Sequence, residues 1–358
     1  MESREIRLMK RPDGLPNLSD FAEAAVDVPA PRPGEVSVRN LYMAVDPAMR
    51  GRMSDAKSYV PPFELDAAME GPAIGEVIAS SAEGFEPGDI VFSRKAWREA
   101  FTAPADQLSL RDCSRLPPEI WMNAAGTTGL TAYAGLLRIA EIRPGDVIFV
   151  SAAAGAVGSL ACQIAKIKGH KVIGSAGGER KVAYLRDELG LDGVIDYKAE
   201  PSLTKALARE LRAIGAEGID VYFDNVGGDH LQAALATANT NARFAICGMI
   251  SQYNTLARPD VPRNLTLLMV KRIRMQGYIA FDHADIEPYM VADMTAWHMA
   301  GLLKSTVSIS DGIGNALDAF MGLFRGDNLG RTLVRLGSPT SRAKVGPAAG
   351  RAHPGLTS

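Results

Sequence analysis

Residues 146–169 read DVIFVSAAAGAVGSLACQIAKIKG. Residues 146–150 form an apolar run of strand length, a Gly/Ala-rich turn follows, and from about 157 to 168 apolar residues recur at helical spacing. Ala153, Gly155 and Gly158 occupy the three positions of G-x-G-x-x-G, with alanine replacing the first glycine. In such a turn the second glycine lets the backbone approach a pyrophosphate, and the third lets the helix pack against its strand. The free amides and the dipole of the helix start attract the anion. A Gly-rich stretch is also compatible with a plain tight β-to-α connection, so its surroundings decide between the two.

Those surroundings alternate. Residues 171–175 read as a strand, 181–188 as a helix, VIDY as a strand, 203–214 as a helix, IDVYFDNV as a strand, HLQAALATA as a helix, and ARFAICG and RIRMQGYIA as strands. Strands separated by helices predict right-handed βαβ units on a parallel, doubly wound sheet. Upstream, residues 1 to about 120 are dense in turn signals (RPDGLP, VPAPRPGE, EGFEPGD, LPPE) between short apolar runs, the pattern of an antiparallel β domain. Downstream of about 285, two helical stretches alternate with STVSIS and GRTLVRL, pieces able to return to the first domain. From Gly337 onward apolar periodicity and acidic residues are lacking, and we expect a disordered tail over 337–358.

A chain of 358 residues predicts two domains, and 47% hydrophobic with 22% charged residues is ordinary globular composition. A net charge of -2 supplies no global field for nucleic acid or anionic lipid. No apolar run approaches the roughly 18 residues of a membrane span, and the polar start MESREIRLMKRPDG does not resemble a signal peptide. Cytoplasmic small-molecule chemistry is the expectation, with neither nucleic acid nor membrane as partner. Cys113, Cys162 and Cys247 form no CxxC pair, and the histidines show no HExxH spacing, so no metal site is expected.

The second strand of a dinucleotide fold discriminates between cofactors, because a carboxylate at its end accepts the ribose 2'-hydroxyl and repels a 2'-phosphate. Here it ends in Gly174-Ser175-Ala176-Gly177-Gly178, followed by Glu179, Arg180 and Lys181. The Ser175 hydroxyl and the two cations suit a phosphate and favour NADPH. Glu179 dissents: it could bind the ribose of NAD or point to solvent at a helix start.

Nine segments in order extend this reading: VDPAMRGRMSDAKSYVPPF, AAGTTGLTAYAGL, SAAAGAVGS, GSAGGERK, DYK, FDNVGG, ICGMISQYN, MQGYIAF and DNLGRTLV. Together they resemble the zinc-independent medium-chain dehydrogenase/reductases of the prostaglandin reductase, alkenal reductase and bacterial curcumin reductase group, up to about residue 336. The resemblance implies a GroES-like β-rich catalytic domain (1–122 and 300–336) holding an inserted Rossmann NADPH domain (123–299), and a homodimer. It implies Gly155, Ala156, Val157 and Gly158 at the pyrophosphate. Gly177, Lys181 and Tyr197 would lie at the adenosine ribose and its phosphate. Asn225, Cys247, Gly248, Ile250, Ser251, Tyr253, Tyr278, Ile279, Ala280 and Asn328 would line the rest. The zinc ligands of metal-containing relatives are missing from VDPAMRG and EGPAIGEV.

The implied activity is reduction of the carbon–carbon double bond of an enone or enal, by hydride transfer to the β-carbon. An NADPH:quinone reductase and a non-catalytic NADPH-binding redox sensor are the competing readings. Tyr253 and Tyr59 are the candidate donors to the developing enolate oxygen. Many members carry tyrosine where this chain has Ala48 and several where it has Phe281, so His283 is a further candidate donor, weighed against a structural role. Met43, Met249 and Phe281 are candidate apolar walls. Arg50 and Arg52 either attract an acidic substrate group or tie the domains together, and Glu70 reads as a domain-interface acid rather than a general base.

Overall fold

The computed structural model describes residues 1–254 and 261–345. Its centre is a six-stranded, all-parallel sheet in the spatial order Gly193–Asp196, Lys171–Ala176, Val147–Val150, Ile219–Asp224, Ala238–Ile246, Arg274–Gly277. The decisive stretch forms the strand Val147–Val150, all four residues buried, and the helix Ala156–Ile167. That strand lies between Lys171–Ala176 and Ile219–Asp224, and such a central, doubly covered strand requires an unbroken apolar run. One face of the sheet packs on the helix carrying Leu160, Ile164 and Ala165, and the other on Leu207, Leu211 and Leu235.

The second sheet has seven strands. Val307–Asp311 and Arg331–Arg335 extend, through Glu35–Ala44, a sheet formed by Ala73–Ser80, Ile90–Ser93, Ser109–Leu110 and Ala100–Pro104. Thus the C-terminal pieces pair with the N-terminal ones. A three-stranded sheet (Phe21–Asp27, Glu2–Leu8, Ala67–Ala68) completes this β-rich part. The core between the sheets includes Trp97, Met43, Met53 and Phe320.

Residues 337–345, expected to belong to a disordered tail, are anchored to the β-rich part. Over 337–345 the Thr340 amide donates to Glu76 Oε2 at 2.9 Å, Lys344 Nζ meets Asp89 at 2.7 Å, and Val345 bridges to Cys113. Side-chain pairing with acids of the β-rich part, which no local periodicity announces, anchors the segment. The expectation for 346–358 lies outside the described residues. No helix among those described is long and apolar enough to cross a membrane.

Candidate functional site

The two parts meet around a cleft of about 1030 Å³. One wall begins at the turn after Val147–Val150. The Gly155 amide donates to Ala152 O at 2.9 Å, which closes the turn, and a Cβ at position 158 would fall 2.2 Å from that same carbonyl. Only glycine fits there, and its absence of side chain brings the first helical turn down onto the strand end. The amides of Ala156, Val157 and Gly158 belong to a first turn, which has no intrahelical acceptors, and all three residues line the cleft. The site therefore fits a pyrophosphate.

Beyond the next strand, Gly177, Lys181 and Tyr197 also line the cleft. The Lys181 ammonium has no hydrogen bond or ion pair among the described residues, and burial, then Arg180 and Lys198, pulls its pKa down. A half-buried cation beside Arg180 and Lys198, opposed only by Asp327, suits a further anion such as the 2'-phosphate of NADPH. Lys198 lines the same wall, and the sequence reading passed over it although it adjoins Tyr197 in DYK. Glu179 is exposed and does not line the cleft, in keeping with its solvent reading. Arg180 donates instead to Asp327 O at 2.7 Å.

Ser175 departs from expectation. It is fully buried, its hydroxyl has no partner among the described residues, and it does not line the cleft. Strand alternation is the reason: Ile173 and Ile195 occupy the core on the far face of the sheet, and Ser175, two residues after Ile173, shares that face.

Asn225 sits after the strand Ile219–Asp224. Its amide donates to Ser151 Oγ at 2.9 Å and its Nδ2 to Ser151 O at 2.7 Å. Asp224 fixes that loop from below: its Oδ1 accepts from the Val226 and Gly227 amides, both at 2.8 Å, and from Tyr222 Oη at 2.7 Å. Cys247, Gly248, Ile250, Ser251, Tyr253, Tyr278, Ile279, Ala280 and Asn328 all line the cleft. Burial pushes the Cys247 thiol up to about 12, so it stays protonated, and Tyr278 Oη donates to Thr131 O at 2.7 Å. His230, to which no role was given, packs edge-on to Tyr197 with ring centroids 5.2 Å apart, and burial lowers its pKa to about 4.

Tyr59, Ala48 and Phe281 line the opposite end, and Tyr59 is 60% exposed. Burial raises the Tyr253 pKa, with the nearby Cys247 the next cause. His283 lies beside Tyr278, outside the cleft lining. Of the three proposed walls only Phe281 lines it: Met43 is fully buried with Sδ accepting from the Trp97 amide, and Met249 packs on the nucleotide-side core. Arg50 does not join the domains; it donates to Gly14 O at 2.7 Å within the β-rich part. Glu70 takes Arg52 and Lys95, each at 3.5 Å. Both partners belong to the β-rich part, so Glu70 lines the cleft without pairing across the two parts. Among the described residues no group of three or more His, Cys, Asp or Glu could hold a metal.

Two family descriptions match: "N-terminal domain of oxidoreductase" over residues 4–110 and "Zinc-binding dehydrogenase" over 156–296. The chain is 36% identical to the NADPH-dependent curcumin reductase of Escherichia coli, covering 92% of this chain and 95% of that one. The chain belongs to the medium-chain dehydrogenase/reductase family. Within the family it is also 35% identical to the NADP(+)-dependent 2-alkenal reductase of Nicotiana tabacum, over 93% of this chain and 97% of the relative. The crystal structure of CurA from Vibrio vulnificus in complex with NADPH superposes with a TM-score of 0.87 at 40% identity, over 94% of this medium-chain reductase and all of that chain.

Proposed function

We propose that the protein reduces the carbon–carbon double bond of α,β-unsaturated ketones and aldehydes, with NADPH as reductant and without zinc. The observation that carries this reading is the division of the cleft. An unpaired, half-buried Lys181 and a helix start lie at one end, and two tyrosines with the apolar Ala48 and Phe281 at the other.

When bound, NADPH supplies a hydride to the β-carbon of the substrate. The first-turn amides of 156–158 would hold the pyrophosphate, while Lys181 and Lys198, with Tyr197, would hold the adenosine end. Asn225, Cys247, Gly248, Ile250, Ser251, Tyr278, Ile279, Ala280 and Asn328 shape the channel between. As the carbonyl oxygen gains charge, the Tyr253 hydroxyl, kept protonated by burial, donates a hydrogen bond to it. Tyr59 is the second donor, and water entering the open end delivers the α-carbon proton.

The test is NADPH oxidation with 2-alkenals, aryl enones and quinones, in the presence of a metal chelator. Saturated ketones and aldehydes formed at unchanged rates are the expected result. Turnover of quinones alone, or loss of activity to the chelator, would overturn the proposal.

We place the enzyme in the cytoplasm as a homodimer. All three cysteines are free, in keeping with a reducing compartment. The edge strand Arg274–Gly277 is exposed along its length beside exposed Met269 and Val270, an edge open to a second copy. Sedimentation at micromolar concentration should give a dimer, and Met275→Asp a monomer; a monomeric parent protein would refute the assembly.

A further inference from the structure

The substrate end of the cleft has apolar walls but a cationic rim. Arg52, Arg94 and Lys95 stand there near Glu70, whose two oxygens are taken by Lys95 and Arg52. Asp46, the other carboxylate of this end, is paired with the buried Arg331. Arg52 is further engaged: its Nε donates to Pro61 O at 2.9 Å and its guanidinium lies 4.2 Å from the Phe63 ring centroid.

Arg94 is different. It is exposed and lines the cleft; its carbonyl accepts from the Gly71 amide, but its guanidinium has no hydrogen bond or ion pair among the described residues. Its guanidinium lies over the Phe281 ring, 5.4 Å from the centroid. Stacking on an aromatic face orients a guanidinium while leaving its N–H edge free for the two oxygens of a carboxylate. Arg94 also repels Arg52, and both act electrostatically on Tyr59. An anion at this rim relieves that repulsion beside a tyrosine of the cleft.

Resting on the reading of the protein as an enone reductase, we infer that its substrates carry a carboxylate at the end remote from the conjugated double bond, and that Arg94 selects it. Phe281, where a tyrosine was expected from the resemblance, is the platform that holds this arginine in place.

The experiment measures calorimetric binding to the NADP+-loaded protein of a medium-chain enone ending in a carboxylate and of its methyl ester. The acid should bind about tenfold tighter than the ester at low salt, the range of one charge-assisted hydrogen-bonded contact. The advantage should shrink at about 0.5 M salt. Arg94→Met should bring the acid-to-ester ratio to about one, whereas Arg94→Lys should retain part of it. Equal binding of acid and ester by the unaltered protein, or a preference that survives Arg94→Met, would overturn the inference. Turnover of the ester with NADPH reports separately on enone reduction: acid preference without turnover defeats the enone reading alone, and turnover without acid preference defeats the carboxylate subsite alone.

Discussion

The Gly330 amide donates to the carbonyl of Ala154 at 2.8 Å, and Gly330 forms an isolated parallel bridge with Gly155. The turn at the start of the nucleotide-side helix is thereby joined to the DNLG segment of the β-rich part. Nearby, Gln163 Nε2 donates to Lys304 O at 3.0 Å and Tyr184 Oη lies 3.0 Å from Thr306 Oγ1, so the joint spans several turns of structure. The cleft is assembled at this joint.

Gly330 has φ +66°, and a Cβ there would fall 2.1 Å from Thr306 O. Gly330→Ala should therefore lower stability by about 2 kcal/mol, from backbone strain together with overpacking. It should also weaken NADPH binding by displacing the 154–158 turn. Urea denaturation and fluorescence titration with NADPH check both effects; loss of stability with unchanged affinity would mean that the joint does not shape the site.

Lys181→Glu should raise the Kd for NADPH at least about tenfold and leave that for NADH nearly unchanged, because only NADPH carries the 2'-phosphate. The pH dependence has a definite sign. The Lys181 pKa is lowered in the free protein, and a bound phosphate raises it, so NADPH binding takes up a proton and weakens as pH rises through the lowered value. NADH binding should be flat over the same range. Equal responses of the two cofactors would assign Lys181 a structural role.

Replacement of Tyr253 by Phe should lower kcat by about tenfold or more with little change in KM, the pattern of a donor acting mainly on the transition state. Tyr59→Phe should have a smaller effect, since Tyr59 is exposed and its hydrogen bond competes with water. Steady-state kinetics on one enone separates them, and unchanged kcat in Tyr253→Phe would remove it as a donor.

His230 is buried, its Nε2 lacks a partner among the described residues, and its pKa falls from 6.5 to about 4. The unfolded chain therefore binds the proton that the folded chain refuses, and stability declines as pH falls through the window from 6.5 to about 4. The imidazole contributes up to about 3 kcal/mol of this decline. His230→Phe, which keeps an aromatic ring beside Tyr197, should flatten urea midpoints measured across that window. An identical acid slope in the variant would assign the sensitivity to other groups.

By itself the sequence determined the alternation of strands and helices along the parallel-sheet part, the strand–turn–helix suited to a pyrophosphate, and the missing carboxylate after the second strand. Each follows from local physics: period-3.6 and apolar-run patterns, a glycine where a Cβ meets Ala152 O, and charges a few residues apart. Only the tertiary structure decided that Ser175 turns into the far core, that Met43 and Met249 leave the walls, and that Arg94 lies over Phe281. It alone brought Lys198 and His230 to the cofactor wall and tied 337–345 to Glu76 and Asp89. Those outcomes depend on which face of an element meets which distant partner. Residues such as Arg94 and Phe281, far apart in the chain, carry no mark of one another until the two parts fold around the same cleft.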